Sequence, residues 1–278
     1  MNYKTVVLDI DGTILDDELK ISIKTIDLLK TIHRKGISII FCTGRMLDSA
    51  HHIINKYFGT DQFPIISYNG SLITIPGELK PIFHHFIDNE TAAKIIEFLR
   101  SKRCHRQAYI NNQLIVEEDN DQIKHYAAHA GINYLVVESL TELIRSNCTK
   151  SGTKVDKILA IGQPEFLHEI EKDSLNLFSK KVNIFKSFSI YLDYIPNTTN
   201  KGIATLELLQ YLNLNPKQTI MIGDGDNDIY AFEVVGYSIA MANATPKLKK
   251  AATLCLDKTN NEEGVYHILS HLYSDLLH

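Results

Sequence analysis

Two pairs of aspartates in this chain each follow an apolar run: Asp9 and Asp11 close Val6-Val7-Leu8, while Asp224 and Asp228 follow Thr219-Ile220-Met221-Ile222. Alternate side chains of an extended segment share a face, so Asp9 and Asp11 are expected on one side of a strand's end. The Gly12-Thr13 turn beside them can bend around a ligand. Asp224 and Asp228 are expected to converge on the same place. Carboxylates about 4 Å apart repel by about 4 kcal/mol at an effective dielectric near 20, so such a set needs protons or a cation. An oxygen-only donor set, without histidine or cysteine, suits magnesium (Mg2+) rather than zinc, and magnesium in turn suggests phosphate. Thr43-Gly44 at a strand end and Lys201-Gly202 at a helix start offer a hydroxyl, backbone N–H groups, an ammonium and a helix N-terminus for the phosphoryl oxygens. Taken alone, the Asp9-Ile10-Asp11-Gly12 stretch reads equally as a solvated turn and Lys201 as a surface lysine. Their weight comes from occurring together.

Placing these groups requires strands that end at one edge. Ile23, Ile26, Leu29 and Ile32 after Ser22 predict an amphipathic helix over 21–35, stopped at Gly36. An apolar strand over 37–42 then ends at Thr43-Gly44-Arg45, where another helix begins. Strand–helix alternation implies a parallel sheet with right-handed crossovers, and ligands gather beyond the carboxyl ends of its strands. Strands over 64–68 and 71–75 follow, joined at Asn69-Gly70. From 88 to 188 the pattern changes to a helix over 90–102, a hairpin of 107–110 and 113–116, and a helix over 121–130. A strand over 155–161, a helix over 164–177 and a strand over 182–186 complete an α+β module, read as an insertion. The alternation resumes with a strand over 190–195, a helix over 202–212, a strand over 219–222 and a last helix over 264–277. The expected fold class is α/β: a Rossmann-like parallel-sheet core in two parts, 1–86 and 190–278, with an inserted α+β domain over 87–189.

The 278 residues allow one large or two modest domains, and 44% hydrophobic with 22% charged residues is an ordinary globular composition. A net charge of -4 gives no electrostatic attraction to nucleic acid or a membrane surface, which leaves a small molecule as the expected partner. A monomer or small homo-oligomer is expected. Cys42, Cys104, Cys148 and Cys255 are scattered, which argues against a zinc site or a disulfide framework. The start, Met1-Asn2-Tyr3-Lys4-Thr5, enters a strand without a charged head and long apolar stretch, so no signal peptide or membrane span is expected and the cytoplasm is the expected location.

In motif order and kind the chain resembles the haloacid dehalogenase-like phosphatases, specifically the Cof-type hydrolases with an inserted type 2 (C2B) cap. Asp9-Ile10-Asp11-Gly12-Thr13 resembles the family's first motif, Thr43-Gly44-Arg45 its second, Lys201-Gly202 its third, and Gly223-Asp224-Gly225-Asp226-Asn227-Asp228 its fourth. Asn69-Gly70, Ala240-Met241-Ala242-Asn243-Ala244 and Gly264-Val265 are similar too. The resemblance implies that Asp9 attacks phosphorus to form an aspartyl-phosphate, while Asp11 protonates the leaving group and then activates water. It implies magnesium held by a carboxylate oxygen of Asp9, the backbone carbonyl of Asp11 and the carboxylate of Asp224, with Asp228 orienting the metal's waters from behind. Thr43, Gly44, Lys201 and Asn227 would contact the phosphoryl oxygens of a small phosphorylated metabolite, a sugar phosphate or phosphorylated cofactor. Asp226 is expected to cap the helix that follows it. Ile229-Tyr230-Ala231-Phe232 stands where relatives usually show a Met-Leu pair, and Tyr191-Leu192-Asp193-Tyr194-Ile195 is a loose version of the strand before the third motif.

Other residues are assigned no chemistry. The pairs His51-His52 and His84-His85 point apart in helix or strand and are expected at the surface. Arg45 reads as an ion pair or surface residue at least as well as a substrate contact, and the turn near Tyr109, Asn111 and Asn112 reads as solvated. Two alternatives stand beside the phosphatase. One is a phosphomutase, which passes the phosphoryl group to a sugar. The other is a non-catalytic phosphate-sensing module, although receiver-like modules are shorter and lack an insertion.

Overall fold

Residues 3–59, 62–146 and 152–277 are described by a computed structural model. The chain forms β1 (Thr5–Leu8), β2 (Ser38–Cys42), β3 (Ile65–Ser67), β4 (Leu72–Thr74) and β5 (Phe83–His84). It continues with β6 (His105–Ile110), β7 (Gln113–Val116), β8 (Tyr134–Val136), β9 (Val155–Ile161), β10 (Val182–Phe188) and β11 (Tyr191–Pro196). Last come β12 (Thr219–Gly223), β13 (Tyr237–Ala240) and β14 (Leu254–Cys255).

The larger sheet has the order β14-β13-β12-β1-β2-β3-β4-β5, parallel up to β3 and antiparallel at β4 and β5. Val6, Val7 and Leu8 of β1 and Ile220, Met221 and Ile222 of β12 are buried on both faces, as continuous apolar runs in a helix-covered parallel sheet should be. The helix Ile23–Arg34 covers part of it, with Ser22 accepting the Thr25 N–H and Thr25, Leu28, Leu29 and Ile32 buried. Ile23, counted with the apolar stripe, is 76% exposed. The strand order reverses at β1, which has β2 on one side and β12 on the other, so a crevice opens beyond their carboxyl ends. Asp9, Thr43 and Asp224 directly follow these three strands.

The smaller sheet has the order β10-β11-β9-β6-β7-β8. The helices Asn89–Ser101 and Pro164–Phe178 bury Ile95, Ile96, Leu99, Leu167 and Ile170 in the core of this unit. Leu159, Ile161, Leu114 and Val116 join Ile123 in a second cluster that reaches Met46, Tyr68 and Leu72 of the larger unit. The fold class is therefore the expected one, a parallel α/β core with an α+β unit inserted.

Three expectations change. The strand expected over 190–195 belongs not to the core sheet but to the smaller sheet, where β11 pairs antiparallel with β9 and β10. An apolar run at the seam between two units fits either sheet, and only long-range pairing decides. A division at 189/190 would cut the β10–β11 hairpin. We propose that the inserted unit runs instead from Ile87, which bridges Val155, to Pro196. The last helix is split into Gly264–Leu272 and Ser274–Leu277. His84 and His85 are half-buried and partnered, His84 Nε2 2.5 Å from Asp156 Oδ1 and His85 Nε2 3.1 Å from Glu207 Oε2. Cys42, Cys104 and Cys255 are free thiols, and Cys148 lies outside the described residues. Among the described residues no helix is long and apolar enough to cross a membrane.

Candidate active site

The peptide after β1 keeps the parallel ladder for one more bond, Asp9 N–H to Ile222 O at 3.0 Å. The chain then leaves the strand in a wide turn closed by Leu15 N–H to Ile10 O at 3.0 Å. Gly12 sits in that turn at φ +69°, and a Cβ there would lie 2.3 Å from Asp224 Oδ2. Glycine is required both by the left-handed backbone and by the close approach of the acid. Asp9 and Asp11 therefore reach one cavity from a loop rather than from an extended strand, and they meet different partners.

Asp9 is nearly buried, and its Oδ1 accepts from Lys201 Nζ at 2.7 Å. The same ammonium donates to Asp228 Oδ1 at 2.6 Å. Lys201 is 1% exposed, so it is the opposite of a surface lysine. It opens the helix Lys201–Tyr211, where Asn200 Oδ1 accepts the N–H groups of Gly202 and Ile203, each at 2.9 Å. Asp228 uses its second oxygen to accept the N–H groups of Asp224 at 3.1 Å and Gly225 at 3.0 Å, which fixes the loop after β12. Asp224 Oδ1 accepts from Thr13 Oγ1 at 2.9 Å, tying that loop to the first one.

Asp9, Asp224 and Asp228 each place an oxygen within 4.8 Å of the others. Burial raises the Asp9 carboxyl well above its ordinary value, Asp228 and Asp224 adding to the effect and Lys201 opposing it. Asp224 is pushed up to about 7, by burial first and then by the charge of Asp228. Burial alone would lower the Lys201 ammonium, but Asp228 and Asp9 outweigh it and hold it above its ordinary value. Three carboxylates around one ammonium leave negative charge uncompensated. This oxygen-only set fits a hard divalent cation.

Asp11 is held by Arg45, Nε to Oδ2 at 2.8 Å and Nη2 to Oδ1 at 2.6 Å. Arg45 also donates its backbone N–H to Thr43 Oγ1 at 3.1 Å. Thr43 is fixed after β2 by its N–H to Ile66 O at 2.8 Å, and its carbonyl accepts the Asn69 N–H at 2.9 Å. Asn227 Nδ2 donates to Asn69 Oδ1 at 2.8 Å, while Asn69 Nδ2 is buried without an acceptor among the described residues.

A cavity of about 880 Å³ lies between the two units. Asp9, Asp11, Gly44, Asp224 and Asn227 line it from the core side, and Tyr126, Lys157 and Tyr191 are among the lining residues of the inserted unit. Thr43, Lys201 and Asp228 are fully buried at its floor rather than on its wall. All the residues singled out from the sequence thus meet in one region, in two tiers.

Two expectations about neighbouring residues fail. Asp226 does not cap a helix; its Oδ1 accepts from Thr245 Oγ1 at 2.5 Å, while Asp228 turns back to accept the Gly225 N–H at 3.0 Å. The turn at Asn112 is docked, not solvated: Asn112 Nδ2 donates to Asp48 Oδ1 at 2.6 Å and its Oδ1 accepts from Tyr68 OH at 2.8 Å. Tyr109 is fully buried and hydrogen-bonded to Tyr126. Arg45 forms an ion pair, one of the roles expected for it, and the site also takes in Thr13 and Asn69, named only as members of motifs, and Lys157, to which no role was given. The acid partner of Arg45 could have been found by asking what neutralises Asp11, and Lys157 by its charge at the head of the apolar run Ile158-Leu159-Ala160-Ile161.

A family model of haloacid dehalogenase-like hydrolases matches residues 6–269. The chain belongs to that family, and it is an enzyme of the phosphoric monoester hydrolase kind, as the motifs implied. A Thermotoga maritima protein of known crystal structure is 38% identical, covers 97% of each chain and superposes with a TM-score of 0.83. A haloacid dehalogenase-like hydrolase from Bacteroides thetaiotaomicron is 25% identical with a TM-score of 0.84, covering 97% of this chain and 99% of its own. The Bacillus subtilis enzyme named 5-amino-6-(5-phospho-D-ribitylamino)uracil phosphatase is 26% identical over 292 residues, 98% of each chain.

Proposed function

We propose that this protein is a magnesium-dependent phosphatase that hydrolyses a small phosphomonoester through an aspartyl-phosphate on Asp9. The observation that carries this reading is the ammonium of Lys201, buried between Asp9 and Asp228 at the floor of a cavity large enough for a small metabolite. Lys201 holds Asp9 Oδ1, and in this reading Oδ2 is the attacking oxygen. Asp9 Oδ2 forms a bond to phosphorus as the bond to the leaving oxygen breaks, and Asp11 gives that oxygen its proton. Asp11 then takes a proton from water, whose oxygen attacks the same phosphorus and releases Asp9 and inorganic phosphate.

Both oxygens of Asp11 lie on Arg45, so the acid must give up at least one of these bonds to reach the leaving group. In this reading Thr43, Gly44, Lys201 and Asn227 contact the phosphoryl oxygens, and the bond from Asn227 to Asn69 supports the position of the last. A divalent cation would be held by Asp9, the Asp11 carbonyl and Asp224, and when bound it neutralises the anionic phosphoryl group. Asp228 supports the cluster through Lys201 and the loop amides. The distinct partners of the two carboxylates, Lys201 for Asp9 and Arg45 for Asp11, support giving nucleophile and acid/base to separate groups.

Phosphate release from a panel of sugar, nucleotide and cofactor phosphates with and without magnesium tests the reading. Asp9→Asn should abolish release while the variant keeps its fold. Full activity in Asp9→Asn would overturn the nucleophile assignment.

A further inference from the structure

The loop after β13, residues 241–245, belongs to neither acidic loop and touches both. Asn243 Nδ2 donates to Gly12 O at 2.7 Å, and the Thr245 N–H donates to Asp224 O at 3.0 Å. The loop is itself fixed on several sides. The Met241 N–H donates to Gly223 O at 3.0 Å and the Ala242 N–H to Lys258 O at 3.1 Å, while Lys249 Nζ donates to Ala242 O at 2.5 Å. Met241 is fully buried against Gly264, where a Cβ would lie 2.8 Å from the Met241 Cε. Asn243 Oδ1 accepts the Asn260 N–H at 3.1 Å, and Asn260 Nδ2 donates to Leu15 O at 3.0 Å. The first acidic loop is thus held at Gly12 by Asn243 and again at Leu15 by Asn260.

The Gly12 carbonyl shares one rigid peptide plane with the Thr13 N–H. Fixing that oxygen sets the plane, and with it the direction in which Thr13 leaves it. The Thr13 hydroxyl then meets Asp224 Oδ1 at 2.9 Å. On its other side Gly12 follows Asp11, whose carbonyl is the expected ligand to the cation. Glycine leaves this stretch freer than any other residue would, and the amide of Asn243 restricts it. Asn243 is exposed and carries no charge, so what it gives the site is placement. Magnesium demands near-ideal octahedral geometry, so a ligand set slightly out of place binds it less well. The loss of one exposed amide–carbonyl bond changes such an equilibrium by about three- to tenfold.

We propose that Asn243 is a positioning residue for the cation: by holding the Gly12–Thr13 peptide it keeps the Asp11 carbonyl and Asp224 at the spacing that one magnesium ion bridges. The inference rests on the phosphatase reading and adds to it a residue, in the loop after β13, that sets metal affinity without touching the metal or the substrate. It is tested by the magnesium dissociation constant read from the rise of the melting temperature without substrate, and by the magnesium dependence of phosphate release from p-nitrophenyl phosphate. Asn243→Ala should weaken magnesium about three- to tenfold by both measures, and at saturating magnesium leave kcat and the substrate KM within about twofold of the wild type. Its exposed position lets the variant fold, which the metal-free melt checks. Thr13→Val removes the hydroxyl through which the effect passes, so in that background Asn243→Ala should change the constant by less than about twofold. Asn89→Ala loses an amide–carbonyl bond of the same kind, to Ile144 O within the inserted unit, and should leave the constant unchanged. An unchanged constant in Asn243→Ala, an equal change with and without the Thr13 hydroxyl, or a fall in kcat at saturating magnesium with no change in the constant would overturn the inference while leaving the phosphatase reading intact. A wild type whose melting ignores magnesium and that releases no phosphate in its presence would overturn both.

Discussion

Arg45 clasps Asp11 through Nε and Nη2, at 2.8 and 2.6 Å, while its Nη1 donates to Ser49 Oγ at 3.0 Å. The Ser49 hydroxyl in turn donates to Ala130 O of the inserted unit at 2.7 Å. The proposed acid/base carboxylate is therefore connected by three hydrogen-bonded steps to the unit that roofs the cavity. A guanidinium does this where an ammonium cannot, because its planar fork meets both carboxylate oxygens and still has a donor left for the serine.

Arg45→Lys should therefore impair the step that needs a placed proton more than the step that does not. With an alkyl phosphate, whose leaving oxygen requires protonation, kcat/KM should fall about 10- to 100-fold. With p-nitrophenyl phosphate, whose leaving group departs as the anion, the fall in kcat/KM should be several-fold smaller. Equal losses on the two substrates would show that Arg45 acts on binding or on the fold rather than through Asp11.

Lys201 offers a different contrast, because it serves stability and chemistry together. Replacing it by Met leaves Asp9 and Asp228 buried, close together and without their shared cation. Removing one partner of a buried charge cluster costs about 3–5 kcal/mol. Lys201→Met should unfold at lower denaturant than the wild type and release no measurable phosphate, and adding Asp228→Asn should recover part of the stability but none of the activity. Recovery of turnover in the double variant would remove Lys201 from the chemistry.

Much of this site could be read from residue order because each motif is local: an apolar strand, then an acid or hydroxyl at its carboxyl end. Asp9, Thr43 and Asp224 were found in this way, since a parallel sheet brings such ends together whatever lies between them. Arg45 was read as an ion pair without its partner, and Lys157 was not read at all, for the converse reason. Their partners, Asp11 and Asp193, lie far along the chain, and a lone basic residue carries no signal until its acid is known. β11 failed in the same way, its apolar alternation fitting two sheets and its true neighbour β9 being fixed by the tertiary fold. Asp226 and Asp228 show a finer limit: both suit a helix start, and only the direction of the loop decides which one turns inward to Lys201 and the amides.

Gly12 makes a sharp test of how closely the two acidic loops are packed. Alanine at φ +69° costs about 1 kcal/mol from backbone strain alone, and its Cβ would sit 2.3 Å from Asp224 Oδ2. Gly12→Ala should therefore push Asp224 off Thr13, lower Tm by several degrees and weaken the stabilisation given by magnesium. A variant with wild-type Tm and an undiminished magnesium effect would mean that the loop adjusts freely.

The last prediction concerns pH. In the folded protein Asp224 titrates at about 7 against an ordinary value of 3.8, and Asp9 is raised as well. An acid whose folded value lies above its unfolded one binds its proton more tightly when folded. Its contribution to stability is complete below the unfolded value and is lost as pH rises through the folded one. Metal-free protein should therefore lose stability between about pH 4 and pH 8, a sign opposite to that of a salt-bridged surface carboxylate. A divalent cation competes with these protons, so magnesium should raise Tm more at about pH 8 than at about pH 6. Asp224→Asn cannot ionise, and it should flatten the metal-free dependence and remove most of the magnesium effect. Thermal melts of both proteins across this range, with magnesium and with chelator, read all four quantities. A magnesium shift in Asp224→Asn equal to that of the wild type would place the cation elsewhere.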